Sequence, residues 1–305
     1  MTPGRDYSID VKFYRLSPAV EPYFTALYAF TFDCPPDAMI EDYLHPEWTA
    51  MRFSDGHPPA GCVGPGPLVQ QSPFVATGPT SGPLHFGLRK SRIWGLGLQP
   101  RGWAKFACGD ASDVTDRIVD GMDHVAFEKF RPVLSIVCEG DNSADQTAAR
   151  IDAYLTNLEG RESRFEPDVL ACQVALRDPE VATVGQLAER LRLGSRALER
   201  LCNRYFGFPP KLLLRRQRFL RSLASFMLEP NSTWSTALDG QYYDQAQFVK
   251  EFRDFMGMTP SEYAEMPHPV LERIMGQRMA DQGAAPDPGL LADLPTVLRY
   301  GSSPS

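Results

Sequence analysis

The sequence contains no stretch of about 18 consecutive apolar residues, which excludes an apolar membrane-spanning helix. Its six cysteines (Cys34, Cys62, Cys108, Cys138, Cys172 and Cys202) stand singly, without a C-x-x-C pair. Neither a disulfide framework nor a structural zinc site is therefore expected. The opening residues Met1 to Asp6 lack the charged-then-apolar order of a secretory leader, so a reducing, cytoplasmic location is expected. Catalytic signatures are missing too. The five histidines (His45, His57, His85, His124 and His268) form no H-x-H or H-E-x-x-H spacing. There is no G-x-S-x-G elbow, and the glycines from Gly61 to Gly66 are not followed by the Lys-Ser/Thr of a phosphate loop. No enzymatic activity, metal or cofactor is expected; a β-barrel enzyme would need a metal for which the ligand spacing is absent.

What is present fits a soluble globular chain. Its 305 residues, 43% hydrophobic and 23% charged, allow two domains that each bury a core. The net charge of −7 hides a strong asymmetry. Residues 1–180 carry 16 Lys/Arg against 25 Asp/Glu, whereas residues 186–221 carry 10 against 2. A concentrated basic block in an acidic chain points to a face for a polyanion. A solvated Arg-rich helix would carry the same charge.

The first hundred residues hold 14 of the 27 prolines and 10 of the 24 glycines. Between these breakers lie short apolar and aromatic runs: Tyr23 to Phe32, Phe74 to Thr77, Leu84 to Leu88 and Ile93 to Leu98. They predict short strands in a small sandwich or barrel. The aromatic run Tyr23, Phe24, Tyr28, Phe30 and Phe32 reads as core or as the lining of a pocket for a small apolar ligand. Further on, Ala148, Ile151, Leu155 and Leu158 have helical spacing, and a polar stretch from Glu159 to Pro167 reads as a boundary. The expected organisation is α+β. Residues 1–160 form a β-rich regulatory, effector or dimerisation domain with terminal helices. Residues 165–266 form an all-α domain, and residues 280–305 a disordered, Pro/Gly/Ala/Ser-rich tail.

The helical half repeats itself. Tyr205-Phe206-Gly207-Phe208-Pro209-Pro210 recurs 50 residues later as Phe255-Met256-Gly257-Met258-Thr259-Pro260. In each copy Gly supplies a left-handed helix cap and Pro opens the next helix. Upstream, Leu198 aligns with Phe248, Arg200 with Lys250, and Cys202 with Phe252. The first copy predicts a short helix capped by Thr183, a turn at Arg192-Leu193-Gly194, and a second helix from Ser195. That second helix turns Leu198, Leu201, Cys202 and Tyr205 inward, and Arg196, Glu199, Arg200 and Asn203 outward. This is a helix-turn-helix pattern. In the second copy Ala237 and Leu238 pack the first helix, Gln241-Tyr242-Tyr243 turns, and Asp244 caps a helix presenting Gln245, Ala246, Val249, Lys250 and Arg253. Pro210 to Leu228 joins the copies as one helix of about 28 Å, close to the roughly 34 Å between successive major grooves.

These residues resemble the AraC/XylS-type transcriptional regulators, over about Asp168 to Glu265. The resemblance rests on Leu187-Ala188-Glu189-Arg190-Leu191, Leu198-Glu199-Arg200, Phe206-Gly207 with Pro210, Arg218, Asp244-Gln245 with Phe248, and the closing run from Phe252 to Tyr263. It implies two helix-turn-helix units joined by a long helix, double-stranded DNA as partner, and a regulatory half that binds a small-molecule effector, forms a homodimer, or both. No membrane partner is implied. Ser195, Arg196, Glu199, Arg200, Asn203, Arg204, Gln245, Ala246, Val249, Lys250 and Arg253 are the expected DNA-facing residues. Arg215, Arg216, Arg218 and Arg221 are expected to contact phosphate or to serve the structure. The sequence departs from the family at both turns, with Arg192 and Gln241 in place of the usual Gly. That departure leaves an alternative: a ligand-binding or protein-interaction module whose helical half has lost DNA reading.

Overall fold

The computed structural model describes residues 7–140, 142–161, 163–228, 233 and 237–282. The N-terminal part is β-rich. Ten strands run in chain order: β1 (Ser8–Tyr14), β2 (Phe24–Asp33), β3 (Ile40–Leu44), β4 (Thr49–Gly56), β5 (Ala60–Val63), β6 (Val69–Gln70), β7 (Phe74–Thr77), β8 (Leu84–Leu88), β9 (Ser91–Leu98) and β10 (Ile118–Asp120). They form two antiparallel sheets, ordered β1-β2-β9-β4-β7-β10 and β3-β8-β5-β6. The four runs anticipated from the sequence are β2, β7, β8 and β9. The remaining strands are interrupted by polar residues or are only two to five residues long, so alternation alone did not separate them from loops. One close approach requires glycine. Tyr28 of β2 pairs with Gly95 of β9, and a Cβ at Gly95 would lie 1.9 Å from the tyrosine ring.

The inner faces of both sheets enclose Val11, Phe13, Phe30, Phe32, Ile40, Leu44, Phe86 and Ile93 in one apolar cluster. The outer face of the larger sheet packs under helices α1 (Pro100–Phe106), α2 (Arg131–Cys138) and α3 (Ala144–Thr156), around Trp94, Trp103, Phe127 and Phe130. Helix α3 carries the anticipated face, with Ala148, Ile151 and Leu155 buried. Six helices follow: α4 (Glu166–Arg177), α5 (Val184–Leu191), α6 (Ser195–Phe206), α7 (Pro210–Leu228), α8 (Gln245–Met256) and α9 (Pro260–Glu265). The cluster around Trp103 continues without a break into Val169, Cys172, Leu187, Leu198, Leu201 and Phe206. The β-rich part and the first helix-turn-helix unit thus share apolar packing across the polar stretch at 159–167.

A tenth helix, α10 (Pro269–Gln282), was not expected: the sequence reading ended the helical half near residue 266. It takes in the first three residues of the expected tail, and residues 283–305 lie outside the described ones. Val270 and Leu271 bury fully in the cluster between the sheets. Ala237 and Leu238, expected on the first helix of the second unit, pack inward but lie outside any helix, and residues 229–232 and 234–236 lie outside the described ones. Among the described residues no helix is long and apolar enough to cross a membrane.

The two repeated glycines do the same local job in different surroundings. Gly207 and Gly257 both end a helix in the left-handed region, at φ 83° and 70°. A Cβ at Gly207 would meet Thr115 Cγ2 at 2.4 Å and Pro79 at 3.1 Å, whereas at Gly257 it would meet nothing within 4 Å. Gly257→Ala should therefore cost only the left-handed strain, about 1–2 kcal/mol. Gly207→Ala should cost a further 1–3 kcal/mol or so for overpacking against the β-rich part. Urea unfolding midpoints at constant m-value measure both; equal costs would mean that the first unit is not docked on Thr115 and Pro79.

Candidate nucleic-acid interface

Both candidate reading helices are built by caps. Thr183 opens α5 with a capping box: its hydroxyl accepts the Gln186 N–H, and the Gln186 side chain accepts the Thr183 N–H. Arg192 ends α5 at φ 54°, ψ 38°, the left-handed conformation usually given to glycine. Its N–H donates to the carbonyls of Ala188 and Glu189, and that pairing holds the strained turn. Gly194 opens α6 without a side-chain cap. Asp244 caps α8 by accepting the Gln247 N–H at 2.7 Å.

The second turn is made differently. Arg192 and Asp116 are the non-glycine residues with positive φ among the described residues, so Gln241 stays out of the left-handed region. Asp239 organises this turn instead. Its carboxylate accepts the Gln241 N–H at 2.9 Å and the Arg221 guanidinium at 2.5 Å, while its own N–H donates to Ser222 Oγ. The Gln241 side chain reaches the Pro179 carbonyl and ties the two units together.

On α6, Ser195, Arg196, Glu199 and Arg200 are exposed. Arg196, Glu199 and Arg200 have no hydrogen-bond or ion-pair partner among the described residues. Asn203 and Arg204 are half-buried, and Arg204 faces Asp110 of the β-rich part at 3.3 Å. On α8, Gln245, Ala246, Lys250 and Arg253 are exposed and Val249 is half-buried. The inward residues Leu198, Cys202, Tyr205, Phe248, Phe252 and Phe255 are all buried. The repeat therefore puts exposed side chains at matching positions: Ser195 with Gln245, Arg196 with Ala246, and Arg200 with Lys250, while exposed Glu199 matches half-buried Val249.

Of the two roles expected for the linker arginines, contact with phosphate or service to the structure, their surroundings fit the second. A role in gripping phosphates requires free guanidinium groups, and α7 directs its arginines inward. Arg215 donates to Glu251 at 2.9 Å and Asp254 at 2.7 Å. Arg218 donates to Glu251 at 2.5 Å and lies over the Tyr242 ring. Arg221 is held by Asp239. Burial and the Glu251 carboxylate push the Tyr242 phenol far up, and its hydroxyl donates to Glu251 at 2.9 Å. Arg216 is buried at 1% exposure, with its guanidinium 4.0 Å from the Trp48 ring and none of its three nitrogens hydrogen-bonded among the described residues. Desolvation lowers its pKa to about 9 against the pull of Asp116 and Glu47.

Glu251 was missed as a key residue, yet the sequence carried a signal. The 50-residue repeat puts it opposite Leu201, a core position, and a carboxylate there needs cationic partners. Arg215 and Arg218 share the three-residue spacing of Glu251 and Asp254. Lys211, exposed at the start of α7, was also passed over; with Thr183, Gln247 and Lys250 it lines a cleft between the two units.

The family model for the helix-turn-helix domain matches residues 187–266. That match begins within α5 and takes in α6 to α9. Residues 187–266 are thus similar to a helix-turn-helix domain. No curated protein matches the chain. Among solved structures, ToxT from Vibrio cholerae overlays with a TM-score of 0.40 at 11% identity, covering 85% of this chain and 98% of that one. ToxT from strain O395 bound to (E)-4-(8-methylnaphthalen-1-yl)but-3-enoic acid gives 0.39 at 10% identity, with the same coverage. The AraC-like transcriptional activator CuxR gives 0.18 at 13% identity over 71% of this chain and 87% of its own. Scores this low carry no functional inference.

The buried Arg216 yields a stability prediction. Replacing buried ionic groups by well-packed apolar side chains is often neutral or stabilising by about 1–4 kcal/mol, less up to about 2 kcal/mol of lost cation–π attraction here. Arg216→Met should raise the thermal midpoint; a fall would mean that an unseen partner satisfies the guanidinium.

Proposed function

We propose that the chain is a sequence-specific DNA-binding transcriptional regulator that inserts α6 and α8 into successive major grooves. The observation that carries this reading is the pair of capped helices, repeated at 50 residues, whose inward faces are buried while matching outward positions stay exposed. Arg196 and Arg200 have the donor forks that suit guanine, Gln245 can bond adenine bidentately, Glu199 can accept from a cytosine amine, and Val249 can touch a thymine methyl. Lys211 and Lys250 flank the cleft between the heads and suit phosphate contact, which fixes register without conveying sequence. The linker arginines act indirectly: by holding Glu251, Asp254 and Asp239 they keep α8 fixed to α7.

The alternative, a helical half without DNA reading, leaned on the missing turn glycines. Arg192 adopts the glycine-like geometry regardless, and Asp239 builds the second turn by another route. That support is gone. For the β-rich part we propose a regulatory role with a small apolar effector. A cavity of about 50 Å³ lies between the sheets, lined by Tyr28, Phe30, Leu44, Phe86, Val270 and Ile274. Arg52 stands at its edge and is held by Glu47 at 2.7 Å.

Two measurements test the DNA reading. A mobility shift at two salt concentrations should show log K falling with log salt by about 0.9 for each phosphate neutralised. Arg200→Ala should weaken specific binding by about 1–3 kcal/mol if it pairs with guanine, and Lys250→Ala should weaken binding about equally for all sequences and reduce the salt slope by about 1, with the fold intact by circular dichroism. Salt-independent binding, or full affinity in both variants, would overturn the reading.

A further inference from the structure

The two heads are fastened to the β-rich part at separate places. The first is held where Phe206 meets the Trp48 ring at 5.7 Å, Gly207 packs under Thr115 and Pro79, and Arg204 faces Asp110. The second is held beyond the helix-turn-helix domain itself. Tyr263 of α9 places its hydroxyl 2.5 Å from His45 Nε2, and its carbonyl accepts from His268 Nε2 at 3.1 Å. Helix α10 then lies on the strands, with Val270 and Leu271 in their core and Arg273 donating to the Ile9 carbonyl.

The fastening turns on Asp42. It sits on the inward face of β3 between Ile40 and Leu44, where the alternation calls for an apolar residue, and its side chain is wholly buried. Helix α10 begins with His268 as its cap residue, since Glu272 N–H donates to the His268 carbonyl at 2.9 Å. The next free donors of such a helix need acceptors. Asp42 supplies them from 228 residues away: Oδ2 accepts the Val270 and Leu271 N–H groups at 2.9 Å each. Oδ1 accepts His268 Nδ1 at 2.9 Å and the Tyr43 N–H at 2.7 Å. The three bonds from His268, Val270 and Leu271 are buried, so removing the carboxylate leaves buried donors unpaired.

We propose that Asp42 is a positioning residue for DNA recognition: by capping α10 it fixes α9 and α8 to the β-rich part, which sets the distance between the two heads. This inference rests on the DNA reading above. The linker helix joins the heads, and the β-rich part is the frame that spaces them. Val270 and Ile274 also wall the cavity between the sheets, so the cavity and the brace of the second head share one turn of helix.

The test uses the full chain and duplexes enriched by the wild type from a randomised pool, alongside the same duplexes with about five base pairs, half a helical turn, inserted between half-sites. The wild type should bind the inserted duplex at least about ten-fold more weakly, because joint engagement is lost. Asp42→Asn should speed hydrogen exchange over 268–274 and shrink that spacing preference to about three-fold or less, with single-head contacts intact. Arg273→Ala, an exposed change that cannot unfold a core, should move both readouts the same way by a smaller amount. Full spacing preference in variants whose α10 exchanges faster would overturn the inference, as would unchanged exchange in both. A wild type that enriches duplexes without spacing preference overturns this inference alone; one that enriches none overturns the DNA reading as well.

Discussion

Glu251 is the constraint around which the helix-turn-helix domain is arranged. A carboxylate at 4% exposure on the inner face of α8 is tolerable only with matched cations and hydrogen bonds, because breaking such a pair costs several kcal/mol. Arg215, Arg218 and Tyr242 supply them, and in doing so they fix α8 to α7 and the second turn to both. The basic block is therefore two populations. Arg196 and Arg200 stay outside, while the linker arginines are internal. The density of positive charge that suggested a polyanion face is partly a structural device, and the face itself is smaller than the charge count implies.

The same rule applied to the β-rich part separates firm contacts from weak ones. Burial alone would lower the pKa of His268, but the Asp42 carboxylate and the Tyr263 carbonyl outweigh it and raise it above the ordinary imidazole value. His45 nearby goes the other way, driven well down by burial and by the charge of His268. That cluster is fully matched. The contact of α7 with the Trp48 region is not: Arg216 and the adjacent Gln217, both at 1% exposure, have side chains without hydrogen bonds among the described residues. Helix α10 and Asp42 thus hold the second head by satisfied bonds, while the middle of the linker lies on its neighbour with polar groups unmatched.

How much of this was legible in the sequence follows from the range of each interaction. Thr183, Asp244, Gly207 and Gly257 act within four residues of themselves, and the caps form where the sequence places them. The longest apolar runs became β2, β7, β8 and β9 for the same reason. The inward-outward division of α6 and α8 was readable because the 50-residue repeat shows the pattern twice. The brace was not. Asp42 and His268 are 226 residues apart, and neither belongs to a motif. Only a carboxylate on the apolar face of β3 hinted that something would meet it. Helix α10 was lost because Val270, Leu271 and Ile274 mark little more than one turn before Gly276 and the polar Gln277 and Arg278.

The two turns show how one architecture tolerates different chemistry. In the first, Arg192 takes a conformation that costs a residue with a Cβ about 1–2 kcal/mol, and the Ala188 and Glu189 carbonyls that share its N–H keep it there. In the second, the backbone avoids that region, and Asp239 does the turning through side-chain bonds anchored on Arg221 and Ser222. The first solution is local and leaves α6 depending on its own turn. The second ties the turn to α7, so α8 moves only if the linker moves with it. An element held that way transmits displacement as a rigid body, and a rigid second head is what allows a distant brace at Asp42 to govern where α8 lies.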